Sequence, residues 1–239
     1  MKPGLLLLLL LLPAALLAES GAYRVEVLVF NHIDGAAEPV EIEALRHFTN
    51  TFPLDGGRLK HDFEDPVALE VMSDTMEDVW RRLRLSAGYR PLLFLVWEQS
   101  RIDYHPPVRV HDEEVIAEHL HFPGGMACVD LRAEDLFSAY LVPYFRLDGS
   151  VQMRRSRFLH LDLDLEYRQE FVTSGSPLPT SAEAAEMLAE IIQPEPEPLP
   201  GPALVHTLRQ SRQIRTGSLQ YFDSPYLGVL ARVTATSGE

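Results

Sequence analysis

From Phe158 to Tyr167 the chain alternates strictly. Leu159, Leu161, Leu163, Leu165 and Tyr167 share one parity, and Phe158, His160, Asp162, Asp164 and Glu166 share the other. A period of two over this length fits a β-strand with one buried and one wet face, and it fits no helix. The fold must therefore contain a sheet that buries the leucine face. The polar parity reads as that strand's solvated face.

Other segments extend the sheet. Tyr23 to Asn31 reads as a strand, with Tyr23, Val25, Val27 and Val29 on one face and Leu28 and Phe30 on the other. Pro91 to Trp97 is apolar at every position after the proline, as in a strand covered on both sides. Between them, Thr75 to Ala87 has a helical stripe of Met76, Val79, Trp80, Leu83 and Ala87, with Asp74 and Glu77 as a capping box. Strand, helix, strand predicts a crossover with the two strands parallel. Ile42, Leu45 and Phe48 predict a short helix over 39–48, and Thr180 with Glu183 caps another running to about Ile192.

Val108 to His111 reads as a short strand. Asp148-Gly149 reads as a hairpin turn, followed by a long return strand with a bend at 154–157. Leu204 to Ile214, Ser218 to Phe222 and Tyr226 to Thr234 read as strands joined by turns at Thr216-Gly217 and Asp223-Ser224-Pro225. The stretch 175–202, ending in alternating prolines, is an excursion with a stiff spacer. The expected fold is α+β: a mixed, mostly antiparallel sheet with two or three packed helices.

Lys2, the leucine run Leu5 to Leu12 and the small residues reaching Ala18 have the layout of a secretory signal peptide. The apolar stretch is too short to span a bilayer, so no stable membrane insertion is expected after cleavage. Cleavage is expected after Ala18, with Ala22 as the alternative. That leaves 19–239 as a single α+β domain. Cys128 is the sole cysteine, so no internal disulfide forms, and it reads as a small buried hydrophobe.

With 35 Asp and Glu against 21 Lys and Arg, the net charge is −14. Such a field argues against nucleic acid as a partner. His105, His111, His119, His121 and Cys128 lack the spacing of a metal site, and no cofactor is expected. No nucleophile elbow or phosphate loop is present. The ladder of His160, Asp162, Asp164 and Glu166 could bind a hard cation or serve a hydrolase through carboxylates such as Asp164 and Glu166, but successive positions on one strand face suit solvent better than a catalytic cleft.

The arginines stand out. Arg154, Arg155 and Arg157 lie near one strand's start, and Arg209, Arg212 and Arg215 lie along another. With Tyr221 and Asp223 they form either a set of structural ion pairs or a site for a ligand with carboxylates and a sugar-like face. If 204–214 and 218–222 form a hairpin, Asp223 is the partner of Arg212. Arg157 and Arg212 both share parity with apolar neighbours and are expected to point toward the core. The candidate ligand-binding residues are Arg157, Arg209, Arg212, Arg215, Tyr221 and Asp223.

Several stretches resemble the CsiV family of periplasmic peptidoglycan-binding proteins. They are Tyr23-Arg24-Val25-Glu26-Val27-Leu28-Val29-Phe30, Tyr89 to Gln99, Leu147-Asp148-Gly149-Ser150-Val151 with Ser156 to Leu161, and Gln210 to Gly217 running on to Gln220-Tyr221-Phe222-Asp223-Ser224-Pro225 and Leu227-Gly228. Phe94, Gln220 and Ser224 stand where the family commonly has histidine, so no role needing those imidazoles transfers. The resemblance implies an exported, non-enzymatic cell-wall binder whose partners are peptidoglycan and a cell-wall synthase or its activator. A protein adaptor using the arginines on an acidic partner is the first alternative, and a carboxylate-dependent wall hydrolase is the second.

Overall fold

A computed structural model describes residues 22–35, 38–48, 51–52, 54, 66–100, 105–120, 141–171 and 199–236. Its strands are β1 (Ala22–His32), β2 (Val40–Leu45), β3 (Val67–Ala68), β4 (Tyr89–Gln99), β5 (Val108–His111), β6 (Val115–Leu120), β7 (Leu141–Phe145), β8 (Leu147–Arg155), β9 (Leu159–Phe171), β10 (Leu199–Gln213), β11 (Leu219–Asp223) and β12 (Leu227–Thr236). One helix, α1 (Asp74–Leu85), lies between β3 and β4. The first sheet has the order β11-β12-β1-β4-β3, the second β2-β10-β9-β8-β5, and β6 pairs with β7.

The two large sheets bury one face each against the other. Val25, Val27 and Val29 of β1, Leu161, Leu163 and Leu165 of β9, and Val229, Ala231 and Val233 of β12 belong to a single buried cluster. The alternation in β9 thus does what its period requires. The other face of β1 is also apolar at its end, because Leu28 and Phe30 pack under Met76 and Leu83 of α1. The helix forms a third layer on the first sheet. Its cap is Ser73, one residue before the expected Asp74, and the hydroxyl accepts from the Met76 amide at 3.4 Å. Buried Glu26 of β1 accepts from the Ser73 amide at 2.7 Å and from its hydroxyl at 2.8 Å, which places a negative group at the positive end of the helix.

The expected α+β fold with two or three packed helices is overturned. Among the described residues the architecture is antiparallel sheet on antiparallel sheet with one helix. Residues 40–45 form edge strand β2, not a helix, because pairing with β10 from Leu199↔Leu45 to Val205↔Val40 overrides a helical spacing of only three apolar residues. β1 and β4 are antiparallel neighbours, not parallel, and their ladder shifts between Val29 and Phe30, opposite Pro91. The connection through β3 and α1 is long enough to return the chain in either direction. The predicted signal segment, the helix ending near Ile192 and Cys128 lie outside the described residues.

Asp148-Gly149 is not a turn. Both residues sit inside β8, and the reversal to β9 is at 156–158, where the Ser156 amide donates to the Phe158 carbonyl at 3.0 Å. Glycine is needed at 149 for close approach: a Cβ there would lie 2.3 Å from the Asp164 carbonyl oxygen and 2.8 Å from the Leu165 Cα. The turn at Thr216-Gly217 forms as expected, with Gly217 at φ 79°. Asp223-Ser224-Pro225 also reverses the chain, the Ser224 amide donating to the Leu227 carbonyl at 2.7 Å.

The link from β5 to β6 contains a buried carboxylate. Asp112 accepts from the Leu147 amide at 3.1 Å through Oδ2, and its Oδ1 is buried without a hydrogen-bond partner among the described residues. Burial pushes its carboxyl up to about 6 from an ordinary 3.8, against the opposing backbone hydrogen bonds. The native state therefore holds this proton more tightly than the unfolded chain does. The stability due to Asp112 is present at about pH 4 and below, and is lost as pH rises through about 6. In Asp112→Asn, urea unfolding followed from about pH 4 to 7 is expected to lack that decline. A decline of unchanged size in the variant would contradict this assignment.

Candidate functional site

The outer face of the second sheet is polar, and the pairing registers put its side chains in rows. Ser150 of β8, Asp164 of β9 and Arg209 of β10 stand opposite one another, with Arg109 of β5 beside Ser150. In the next row stand Gln152, Asp162 and Ser211. Apart from Arg109, these two rows line an open groove of about 300 Å³ together with Pro107.

The wet face expected for β9 is in fact a lattice of ion pairs. Arg46 donates to Asp164 through both terminal nitrogens, at 3.1 and 2.8 Å, and through Nε to Glu166. Arg154 pairs with Asp162, and Arg109 with Asp148 at 3.2 and 3.0 Å. Arg168, fully buried, lies 3.3 Å from Asp148 and 3.5 Å from Glu166. Arg209 donates through Nε to Asp164 at 3.2 Å. Arg46, Arg109, Arg154, Arg168 and Arg209 thus face Asp148, Asp162, Asp164 and Glu166, five cations against four anions on a chain of net charge −14. Burial works against ionisation of Asp164, but the hydrogen bonds and charges of Arg46 and Arg209 outweigh it and hold the carboxyl below its ordinary value.

Arg209 differs from the rest of the lattice. Its side chain is 65% exposed, and only Nε is engaged among the described residues. The two terminal nitrogens present an open fork over the groove, in the geometry that takes a carboxylate through two parallel hydrogen bonds. Ser150, Gln152 and Ser211 supply hydroxyl and amide groups beside it.

The structure divides the six candidate residues. Arg209 lines the groove. Arg157 is exposed in the β8–β9 reversal, with its guanidinium 5.5 Å from the centre of the Phe158 ring, and it does not point into the core. Arg215 is exposed just after β10. Tyr221 and Asp223 are on β11, which pairs with β12 in the first sheet, so the hairpin of 204–214 with 218–222 does not form. Arg212 is exposed and has no ion pair with Asp223; it donates to the Tyr221 carbonyl at 2.9 Å and lies 5.3 Å from the Phe222 ring centre. Gln210 donates to the Asp223 carbonyl at 2.6 Å. Two β10 side chains thus cap the free carbonyls of edge strand β11, a structural task. Tyr221 shares its face with Phe30 and Tyr89, across the first sheet from the groove.

Arg46, Arg109 and Arg168 were not among the candidates. Arg168 was within reach of sequence reasoning, since it continues the parity of Asp164 and Glu166. Arg46 meets Asp164 across 118 residues of sequence, and no local pattern announces that pair. His119, His121 and Cys128 bear no described side chain. Among the described residues, no three His, Cys, Asp or Glu side chains converge as metal ligands.

A protein-family model described as "Peptidoglycan-binding protein, CsiV" matches residues 4–236. No curated protein matches the chain. Among solved structures, the InvG secretin domain β-barrel of the Salmonella SPI-1 injectisome is similar at 7% identity and a TM-score of 0.26, over 92% of this chain and 62% of that one. A likeness this slight carries no argument.

Proposed function

We propose, because this chain belongs to the CsiV family of peptidoglycan-binding proteins, that it binds the bacterial cell wall through the groove over β8, β9 and β10. The observation that carries the reading is the open guanidinium fork of Arg209 among hydroxyl and amide groups. Stem peptides present carboxylates that such a fork takes, and their amides match Gln152 and the two serines.

The reading is one of binding without turnover. A general acid needs a raised pKa, whereas Asp164 is held low and Glu166 is tied to Arg46 and Arg168. The place of action is the periplasm, reached through the signal segment of residues 1–18, with 19–239 acting as one domain. Cleavage after Ala18 leaves β1 whole, while cleavage after Ala22 trims its first residue. The protein serves there as an accessory to wall synthesis, alongside a synthase or its activator.

Co-sedimentation of the purified protein with isolated sacculi at two salt concentrations tests this. The protein is expected in the pellet, with less recovered at high salt, because exposed guanidinium–carboxylate contacts are screened. Chromatography of the supernatant is expected to show no released wall fragments. Sedimentation only in the presence of an added protein partner would replace wall binding with the adaptor reading.

A further inference from the structure

The opposite face of the molecule carries a second surface of different chemistry. Phe30 lies flat over Gly228, where a Cβ would come within 2.3 Å of its Cζ. Tyr221 stacks parallel to Phe30 at 6.4 Å between ring centres, and Tyr89 meets it edge-on at 5.3 Å. These contacts fix both tyrosines while leaving them 39% and 43% exposed, Tyr89 and Tyr221 respectively. Beside Tyr89 an open groove of about 400 Å³ is lined by half-buried Trp80, with Arg84 and Arg90 at its margins. Among the described residues neither arginine meets a carboxylate, although the chain as a whole is strongly acidic.

We infer that this groove is a second, independent binding site, for a sugar ring that carries a carboxylate substituent. The C–H face of a pyranose is flat and weakly polar, and it packs on an aromatic ring whose polar tip stays wet. A positive rim in an otherwise negative molecule selects an anionic sugar over a neutral one, and guanidinium pairs with its carboxylate. Tyr89, held against Phe30, loses little conformational freedom on contact. The volume is that of a small-ligand site. With the Arg209 groove on the other face, the molecule holds peptide-free sugar and stem peptide at separate sites, and on a polymer that carries some sugars with the peptide and some without it, the two events reinforce each other through effective concentration. The inference shares the polymer of the proposed function but does not depend on Arg209.

The two tryptophans make the test site-specific, since Trp97 is fully buried and Trp80 lines the groove. The full chain is titrated separately with the peptide-free disaccharide of N-acetylglucosamine and N-acetylmuramic acid, with free stem peptide, and with polyglutamate, following tryptophan emission and heat. The disaccharide is expected to give a saturable emission change that disappears in Trp80→Phe. Its affinity is expected to fall roughly tenfold or more in Tyr89→Ala and in the Arg84→Ala, Arg90→Ala double variant, and to be unchanged in Arg209→Ala. Absence of saturable heat and emission change with the disaccharide would overturn the inference. So would a response to polyglutamate alone, which would mark the surface as a dock for an acidic polypeptide. If the disaccharide fails while stem peptide still binds through Arg209, only this second site falls; if the disaccharide binds and stem peptide does not, the Arg209 reading falls and this one stands.

Discussion

Replacing Arg168 by methionine is expected to lower the stability of the protein by about 3–5 kcal/mol, the cost of leaving a buried ion without its partner. Arg168 and Asp148 both have side chains at 0% exposure, 3.3 Å apart. The same guanidinium donates to the Phe145 carbonyl at 2.8 Å and to the Arg46 carbonyl at 2.8 Å, and it lies 5.6 Å from the Tyr144 ring centre. One side chain thereby ties β7 and the segment after β2 onto the second sheet. Methionine fills most of the volume but satisfies none of these oxygens. Asp148 would retain Arg109 and the Gly149 amide, which is why the expected loss stays within this range. Adding Asp148→Asn to Arg168→Met also takes the carboxylate away from Arg109 and is expected to add to the loss. Urea unfolding of the two variants measures both effects. A loss below about 1 kcal/mol would mean that water reaches the pair and that it behaves as a surface ion pair. Because Arg168 holds the Arg46 backbone, and Arg46 holds Asp164, the variant is also expected to loosen the floor of the Arg209 groove.

The sheet was legible in the chain wherever one face had to be apolar and the other polar. β9 follows from its alternation, β4 from an apolar run covered on both sides, and β12 from Leu227, Val229, Ala231 and Val233. What escaped was set by partners far away in sequence. Ile42 and Leu45 suit either a helix or a strand, and only the β10 edge decides. Gly149 reads as a turn residue, yet it is required by the approach of the Asp164 carbonyl from the neighbouring strand. At the groove, Arg209 comes from the arginine cluster visible in the chain, but Arg212 and Tyr221 join it only through a hairpin that the chain does not make. Position in the chain placed β10 and β11 side by side, whereas the tight turn sends β11 to the other sheet. The polar parity of β9 reads as solvated because its cations come from β2's end, β5, β8 and β10, and no periodicity in one segment reveals charges delivered by four others.

The second large effect concerns ligand, not stability. Arg209 is 65% exposed on its side chain and engages Asp164 only through Nε, so Arg209→Ala is expected to leave unfolding almost unchanged. If its free fork takes a stem-peptide carboxylate, the lost charge-assisted pair is worth about 1.5–3 kcal/mol, or roughly 10- to 150-fold in affinity. Arg209→Lys keeps the charge without the fork and is expected to recover only part of the loss. Arg212→Ala, whose guanidinium caps β11, is expected to bind as the unmodified protein does. Calorimetric titration of the full chain and these three variants with free stem peptide is the direct measurement. The account predicts weakened binding in Arg209→Ala, partial recovery in Arg209→Lys and no change in Arg212→Ala. A fully folded Arg209→Ala that binds stem peptide as tightly as the unmodified protein would contradict it.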